Sequence, residues 1–277
     1  MKKLALCAFV VLLASAVAAG CGSSKKKKKS SSQTTQSVTI ERSDTGLKAP
    51  ASAEAGLTEI TVKNTGKKPG GAQLVRVTGN QTAEEVAKAG TAWGDRNKAL
   101  PDWLKLEGGV GNTKPGQTGT VTQNLAPGKY YALDIESNKS APLQVTGSGG
   151  GSQPTAGPRV EAVDYSFKAT GLKTGKQTVL FDNKGKQPHF IVALPINPGK
   201  TIADVRKVAA SEGEPSGPPP FDEKAGVNTA VLDSGGKQAV QLDLKKKGKY
   251  ALMCFIPDRQ GGPPHVAKGM VSEATVD

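Results

Sequence analysis

Near its C-terminus the chain reads Gly248-Lys-Tyr-Ala-Leu-Met-Cys254-Phe-Ile-Pro-Asp-Arg-Gln-Gly-Gly-Pro-Pro-His265-Val-Ala-Lys-Gly-Met270. This stretch connects two runs of β-forming residues, Lys249–Phe255 and Met270–Val276, through a loop rich in glycine and proline. It carries one of only two histidines in 277 residues, and the other, His189, follows the turn Asn183-Lys-Gly-Lys-Gln-Pro. Because histidine is so scarce, its position beside a cysteine and a methionine is the most informative feature of the sequence.

The side chains of His189, Cys254, His265 and Met270 form a donor set typical of a mononuclear copper site that exchanges electrons. Soft sulfur favours Cu(I), and imidazole suits both oxidation states. A rigidly held mixed set therefore lets copper change its charge with little rearrangement. We expect these four residues to bind one copper ion.

The first twenty residues predict export from the cytoplasm. Lys2 and Lys3 precede an apolar core over residues 4–19, and Ala18-Ala-Gly20 is a small-residue cleavage site. Cleavage there places Cys21 first, which resembles the lipobox of bacterial lipoproteins and implies a lipid on its sulfur. We expect the chain to be anchored on the outer face of the cytoplasmic membrane, or in the periplasm or at the outer membrane of an organism that has one. Ordinary secretion is the alternative.

The exported body keeps a single thiol, because Cys7 leaves with the signal and Cys21 carries the lipid. An unpaired thiol in an oxidising compartment is a liability unless something occupies it. This favours Cys254 as a metal ligand over the alternative of a buried, inert thiol.

A segment rich in lysine and serine, residues 21–37, follows the cleavage site and predicts a flexible tether. Its run Lys25–Lys29 either reinforces the lipid by touching anionic headgroups or is a solvated spacer. The chain has a net charge of +13, of which two charges lie in the signal and five in this run, which leaves +6 for the remainder. That remainder lacks the interleaved aromatic residues of single-strand binders, so no nucleic-acid partner is predicted.

The body contains an internal repeat. Val62–Gly70 aligns with Phe181–His189, and Gly128–Asp134 aligns with Gly248–Cys254. Each unit has about 110 residues, a common size for one domain. We predict a signal, a tether, a first domain, a Gly/Ser/Pro linker and a second domain, over residues 1–20, 21–37, 38–146, 147–158 and 159–277.

Each repeat has the pattern of short strands interrupted by one helix. Gln238–Leu244 alternates between apolar and polar residues, so one face is expected to be buried. Many short strands with closely spaced turns are typical of a β-sandwich. Thr82 and Thr201 are each followed three residues later by an acidic residue, which predicts a capped helix in each repeat. Trp93 and Trp103 of the first repeat are expected to be packing residues, and a binding platform is the alternative.

Three motifs resemble those of plastocyanin-type cupredoxins: Asn183-x-Gly-x-x-Pro-His189, Gly248-x-Tyr-x-x-x-Cys254 and His265-x-x-x-Gly-Met270. The resemblance covers residues 159–277 and implies a Greek-key β-sandwich there. With the internal repeat, the expected fold is all-β, with two tandem cupredoxin-like Greek-key β-sandwiches that each contain one short inserted helix. The resemblance also implies a type 1 copper ion at one end of the second sandwich. By this resemblance His189 and His265 are the imidazole ligands, Cys254 is the thiolate and Met270 is the weak axial ligand.

The sequence departs from the cupredoxin pattern in two ways. Ten residues separate Cys254 from His265, more than in the shortest cupredoxin loops and nearer to those of copper nitrite reductases. A loop of this length is expected to loosen the site or alter its bonding, which leaves both a blue and a green centre open. Phe190 stands where many cupredoxins have an asparagine that braces the ligand loop, which puts the outer support of the ligands in doubt.

The first repeat lacks the donor residues. Gly70 stands at the position of His189 and Asp134 at that of Cys254, and no histidine or methionine follows in that repeat. We therefore expect a metal-free first domain that serves as a spacer or a docking surface.

The most direct functional reading is a membrane-anchored carrier of single electrons between redox proteins, with the partner and the oligomeric state left open. One alternative is a copper storage or delivery lipoprotein, and another is a metal-free structural or adhesion module. Multicopper oxidases and nitrite reductases also pair cupredoxin domains, but their additional copper ions need further histidines. The sequence therefore predicts that the chain is not an enzyme.

Overall fold

A computed structural model of the chain describes residues 35–95, 98–134, 136–137, 139–153, 157–211 and 217–277. The predicted signal, the Cys21 lipidation site and the lysine run lie outside these residues. In the described part, no helix is long and apolar enough to cross a membrane. The described residues form one compact unit by their internal contacts.

The described residues are mostly β-structure. Strands of the first repeat are β1 (Gln36–Ser43), β2 (Gly46–Lys48), β3 (Ser52–Glu54), β4 (Gly56–Asn64), β5 (Gly70–Val77), β6 (Leu104–Thr113), β7 (Thr118–Leu125), β8 (Gly128–Asp134) and β9 (Lys139–Thr146). Strands of the second repeat are β10 (Arg159–Val163), β11 (Ser166–Thr170), β12 (Gly175–Asn183), β13 (Val192–Pro195), β14 (Val227–Asn228), β15 (Lys237–Leu244), β16 (Gly248–Met253) and β17 (Val271–Val276). The helices are α1 (Ala83–Gly94) and α2 (Ile202–Ala209), with 3-10 turns at Glu223–Ala225 and His265–Lys268.

One eight-stranded sheet runs through both repeats in the order β11-β10-β12-β15-β7-β4-β1-β2. The first-repeat half of this sheet packs on the sheet β3-β9-β8-β5-β6, and the second-repeat half packs on β14-β13-β16-β17. Alternating burial along the strands puts apolar side chains such as Ile60 and Val240 between the layers. The all-β fold class, with one helix in each repeat, is confirmed. The two halves join where β7 pairs antiparallel with β15, and the predicted domain boundaries stay a prediction.

Both predicted helices are present and begin at the predicted caps. The hydroxyl oxygen of Thr82 accepts a hydrogen bond from the Glu85 N–H at 3.2 Å, and the Glu85 carboxylate accepts the Thr82 N–H at 2.7 Å. Thr201 and Asp204 make the same reciprocal pair. These bonds satisfy N–H groups that the first helical turn leaves without partners. The helix α1 buries Val86 against the first repeat.

The two repeats share a turn that is fixed by the side-chain amide of an asparagine. The amide of Asn64 donates to the Lys68 carbonyl at 2.9 Å, and that of Asn183 donates to the Gln187 carbonyl at 2.8 Å. In each turn the asparagine oxygen also accepts the N–H of the glycine two residues later, at 3.0 Å. Both amides are buried, so their bonds fix the loop geometry instead of exchanging with water. The residue that follows this turn in the second repeat is His189.

Candidate metal centre

The four predicted donor residues come from two loops at one end of the second sandwich. His189 lies between β12 and β13, and Cys254 directly follows β16. His265 begins the 3-10 turn, and Met270 directly precedes β17. All four residues are 0% exposed. The predicted last strands are slightly too long, because Cys254 and Met270 lie just outside the ladder between β16 and β17.

Three of the four donor side chains face one another closely. His189 Nδ1 lies 3.1 Å from His265 Nδ1, and Cys254 Sγ lies 3.4 Å from His265 Nδ1. The donor atoms of these three residues are all within 4.8 Å of one another. Met270 packs in the same buried cluster as Cys254, and its N–H donates to the His265 carbonyl at 2.9 Å. The structure therefore brings His189, Cys254 and His265 together at one buried point, and it places the backbone of Met270 next to His265.

The outward nitrogens of both imidazoles face carboxylates. His189 Nε2 lies 2.7 Å from Asp164 Oδ1, and His265 Nε2 lies 3.0 Å from Asp258 Oδ1. An ionised carboxylate only accepts hydrogen bonds, so we assign the proton of each neutral ring to Nε2. Each Nδ1 then presents a lone pair toward the other ring and toward the sulfur. Electron pairs that face one another repel, and a cation bound between them removes this repulsion. A set of two imidazoles and one sulfur suits copper.

Burial sets the protonation of the donors in the way that metal binding requires. It lowers the pKa of His189, and it lowers the pKa of His265 to about 4, with a further contribution from the charge of His189. The imidazoles are therefore neutral near pH 7, which is the form that binds metal. Burial raises the pKa of the Cys254 thiol to about 12. Metal binding at this site is thus coupled to the loss of the thiol proton.

Asp164, in the turn between β10 and β11, ties the first ligand loop to its ring. Its carboxylate accepts the N–H groups of Lys186 at 2.8 Å and Gln187 at 3.2 Å, in addition to the His189 ring. Although burial acts in the opposite direction, these hydrogen bonds hold the pKa of Asp164 below its usual value. Sequence reasoning missed this residue. The repeat carried a signal for it, because Asp44 of the first repeat accepts the Lys67 N–H in the same way.

Asp258 belongs to a small network that covers the second imidazole. Its carboxylate accepts hydrogen bonds from the Tyr165 hydroxyl at 2.8 Å and from the Lys268 ammonium group, as well as from His265. The Tyr165 ring centroid lies 5.0 Å from that of His265, and Lys268 Nζ lies 4.7 Å from the Tyr165 centroid. The network was not predicted from the sequence. It shields His265 from solvent and fixes the direction of its ring.

The brace that was expected from an asparagine at position 190 comes from other residues. Phe190 is partly buried and packs against the cores of both repeats. Asn183 donates to the Leu232 carbonyl at 2.9 Å, and the backbones of His189 and Leu232 exchange two hydrogen bonds of 2.9 Å. The ligand loop is therefore supported without an asparagine next to His189.

In the first repeat an arginine side chain occupies the corresponding region. Arg42 Nε lies 2.9 Å from Asp134 Oδ2, with the two side chains 2% and 0% exposed. Arg42 Nη1 also donates to the Lys68 carbonyl at 2.8 Å. A Cβ atom added at Gly70 would lie only 2.4 Å from Arg42 Nε, so only glycine leaves room for the guanidinium. An internal cation thus fills the space of the first repeat that corresponds to the donor cluster of the second.

Comparison with known proteins shows similarity at the level of the fold. Auracyanin from Roseiflexus castenholzii covers 42% of this chain and 98% of its own, at 18% identity and a TM-score of 0.29. A multicopper oxidase covers 88% of this chain and 90% of its own, at 12% identity and a TM-score of 0.24. A copper nitrite reductase from Nitrosomonas europaea covers 88% and 94%, at 13% identity and a TM-score of 0.23. No family model and no curated protein sequence matches the chain.

These comparisons correct one prediction. The sequence-based expectation that the chain is not an enzyme is wrong, because solved structures that align with 88% of its length include a multicopper oxidase and copper nitrite reductases, which are enzymes. The expectation rested on the count of two histidines. That count limits only the copper sites that one chain can build from its own histidines, so it does not exclude a catalytic function.

The fold and the buried donors point to the same cofactor. A cupredoxin-like β-sandwich carries a cluster of His189, Cys254 and His265 at one end, where both Nδ1 atoms and the sulfur are buried and face one another. Hydrogen bonds to carboxylates hold both rings in the tautomer that binds metal through Nδ1. The cofactor of this fold and donor cluster is a type 1 copper ion.

Proposed function

We propose that the chain is an extracytoplasmic electron carrier in which His189, Cys254, His265 and Met270 hold one copper ion. Copper is stable as Cu(I) and as Cu(II), so when bound it supplies one-electron chemistry. The single observation that carries the proposal is the convergence of two Nδ1 atoms and one sulfur, with both opposite nitrogens bound to carboxylates.

The rigidity of the donors favours electron transfer over copper storage or delivery. All four side chains are buried, and separate carboxylates fix the two rings. Donors that do not move between oxidation states keep the rearrangement on electron transfer small. A site that exchanges its metal would instead benefit from ligands that open to solvent. The chain's own residues here hold the donors and exclude water.

The position of Cys254 supports a short path to the surface. The next residue, Phe255, is 41% exposed, one of few large apolar side chains with that exposure in the described part of the chain. A redox protein that docks over Phe255 would contact the residue that directly follows Cys254, so only one residue would separate it from the sulfur donor along the chain. We propose this surface for an electron-transfer partner.

We also propose that lipid on Cys21 anchors the chain on the outer side of the membrane. The support is the sequence pattern of a signal that ends in small residues directly before a cysteine. The run Lys25–Lys29 would add electrostatic attraction to anionic headgroups, since a single lipid chain binds weakly.

A reductive titration tests the proposed function. The oxidised, copper-loaded protein is titrated anaerobically with a one-electron reductant while its visible absorption is recorded. We expect complete bleaching at one equivalent, full recovery on reoxidation, and no loss of copper to a chelator over repeated cycles. Zinc-loaded protein is the control that accepts no electrons. Copper that leaves the protein on each reduction would instead support storage or delivery.

A further inference from the structure

The loop between β16 and β17 is bound to the first repeat. Trp93 Nε1–H, from the helix α1, donates to the Asp258 carbonyl at 2.8 Å. The Leu100 N–H donates to the Arg259 carbonyl at 2.7 Å. Both donors belong to the segment between β5 and β6, so this segment of the first repeat holds two consecutive residues of the loop.

The Arg259 side chain ties the loop to the same segment of the first repeat, to the start of β6 and to Asp233. Its Nη2 donates to the carbonyls of Pro101 at 2.9 Å and Leu104 at 2.6 Å. Its Nη1 lies 2.9 and 2.8 Å from the two oxygens of Asp233. The Asp233 carboxylate also accepts the Leu106 N–H at 3.0 Å. The Arg259 side chain is 20% exposed, so it acts as a structural link between the repeats more than as a solvated surface charge.

These contacts reach both imidazoles of the donor cluster. Asp258, whose backbone Trp93 holds, accepts the hydrogen bond from His265 Nε2 at 3.0 Å. The Arg259 N–H donates to Gln187 Oε1 at 2.9 Å, and Gln187 lies in the turn that precedes His189. The direction of each ring therefore depends on a loop that the first repeat fixes.

We propose that the first repeat is a positioning domain for the copper centre and that Trp93 and Arg259 are its positioning residues. Neither residue contacts a donor atom, and both act through Asp258 and the loop. A ten-residue loop that contains Gly261 and Gly262 would otherwise sample many conformations, and ordering it costs conformational entropy. The contacts with the first repeat restrict the loop before metal binds. This inference rests on the proposed function, because it concerns the orientation of the proposed ligands.

The test uses conservative variants of the full chain. Trp93→Phe removes the N–H donor but keeps an aromatic ring. Arg259→Lys keeps the positive charge but removes the planar guanidinium, whose N–H groups bind several acceptors at once. Trp103→Phe is the matched control: Trp103 packs against the same cluster, and no bond from its indole to the loop occurs among the described residues. The readouts are the Cu(II) EPR spectrum, the reduction potential, the rate of copper transfer to a chelator, and hydrogen exchange of residues 255–265 in metal-free protein.

We expect both variants, but not the control, to change the EPR spectrum and the potential and to transfer copper about tenfold faster. Their loop amides should also exchange faster without metal. Variants that match the wild type in all readouts would overturn the inference. If Arg259→Lys does not fold, Trp93→Phe decides the question alone. If the wild type itself shows no thiolate-to-copper band, the proposed function fails, and hydrogen exchange still decides whether the first repeat orders the loop.

Discussion

Arg42 Nε lies 2.9 Å from Asp134 Oδ2 in the first repeat, and Asp134 aligns with Cys254 of the second repeat. The same topological position therefore holds a buried carboxylate in one repeat and the buried sulfur of Cys254 in the other. In the first repeat the guanidinium of Arg42 balances the charge of the buried Asp134 carboxylate, which is the charge that a bound metal ion would otherwise balance.

Breaking this pair should destabilise the protein. Arg42→Ala leaves the Asp134 carboxylate buried without its cation, and we expect the free energy of unfolding to fall by about 3–5 kcal/mol. The double change Arg42→Met with Asp134→Leu should recover much of that loss, because it removes both charges and retains apolar volume. Denaturant unfolding of metal-free protein measures the effect. A loss below about 1 kcal/mol in the single variant would show that the pair contributes no more than a surface ion pair.

Asp164 should tune the affinity and the potential of the copper centre. Asp164→Asn removes a negative charge next to the His189 ring, and this charge stabilises Cu(II) more than Cu(I). We expect Cu(II) affinity to fall by about 10- to 100-fold and the reduction potential to rise. Asp44→Asn is the matched control, since Asp44 makes the same backbone contact in the first repeat without a histidine beside it. Competition titration and redox potentiometry are the measurements, and equal effects of the two substitutions would contradict this role.

Met270 should act on the potential as a weak axial ligand. Met270→Leu removes the thioether but keeps an apolar side chain, so copper should stay bound while its potential rises, because loss of a donor favours Cu(I). Met253→Leu provides the control, because Met253 is also buried but packs in a different cluster. Redox potentiometry of the two variants separates the effects. An unchanged potential in Met270→Leu would remove Met270 from the ligand set.

The lipid anchor can be tested independently of copper. Cys21→Ala removes the sulfur that would carry the lipid, so the protein should be unprocessed or appear in the soluble fraction. Replacement of Lys25–Lys29 by serine is the companion variant, and we expect it to weaken membrane attachment only at low salt. Fractionation and mass spectrometry of the mature N-terminus are the measurements. Normal processing and unchanged attachment of Cys21→Ala would rule out lipidation at this residue.

The features that sequence predicted correctly are local patterns. The capping boxes at Thr82 and Thr201 need only four consecutive residues each, and the strand class follows from alternation and turn residues. The side chains of His189, Cys254 and His265 converge, as their motifs along the chain indicate, and their role as ligands stays a prediction. The internal repeat also showed which positions of these motifs differ between the two copies, since Gly70 and Asp134 align with His189 and Cys254.

The features that sequence missed depend on contacts between distant segments. Asp164, in the turn between β10 and β11, forms a hydrogen bond with His189, in the loop between β12 and β13. Trp93 of the first repeat forms a hydrogen bond with Asp258 of the second repeat. In the sequence Arg42 is one of several polar residues in β1. Only the fold places it against Asp134 at the end of β8. The long loop was expected to loosen the site or to alter its bonding, and its hydrogen bonds with Trp93 and Leu100 of the first repeat were not foreseen. None of these pairs has a spacing that local periodicity encodes.

The most direct test of the central claim is the visible and EPR spectrum of the Cu(II)-loaded mature protein beside its Cys254→Ser variant. A thiolate bonded to Cu(II) gives intense visible absorption, so the wild type should be blue or green with one copper per chain. The serine variant should lose this band, because oxygen replaces the sulfur that supplies the charge transfer. A colourless Cu(II) wild type, or a serine variant with an unchanged spectrum, would contradict a copper centre built on Cys254.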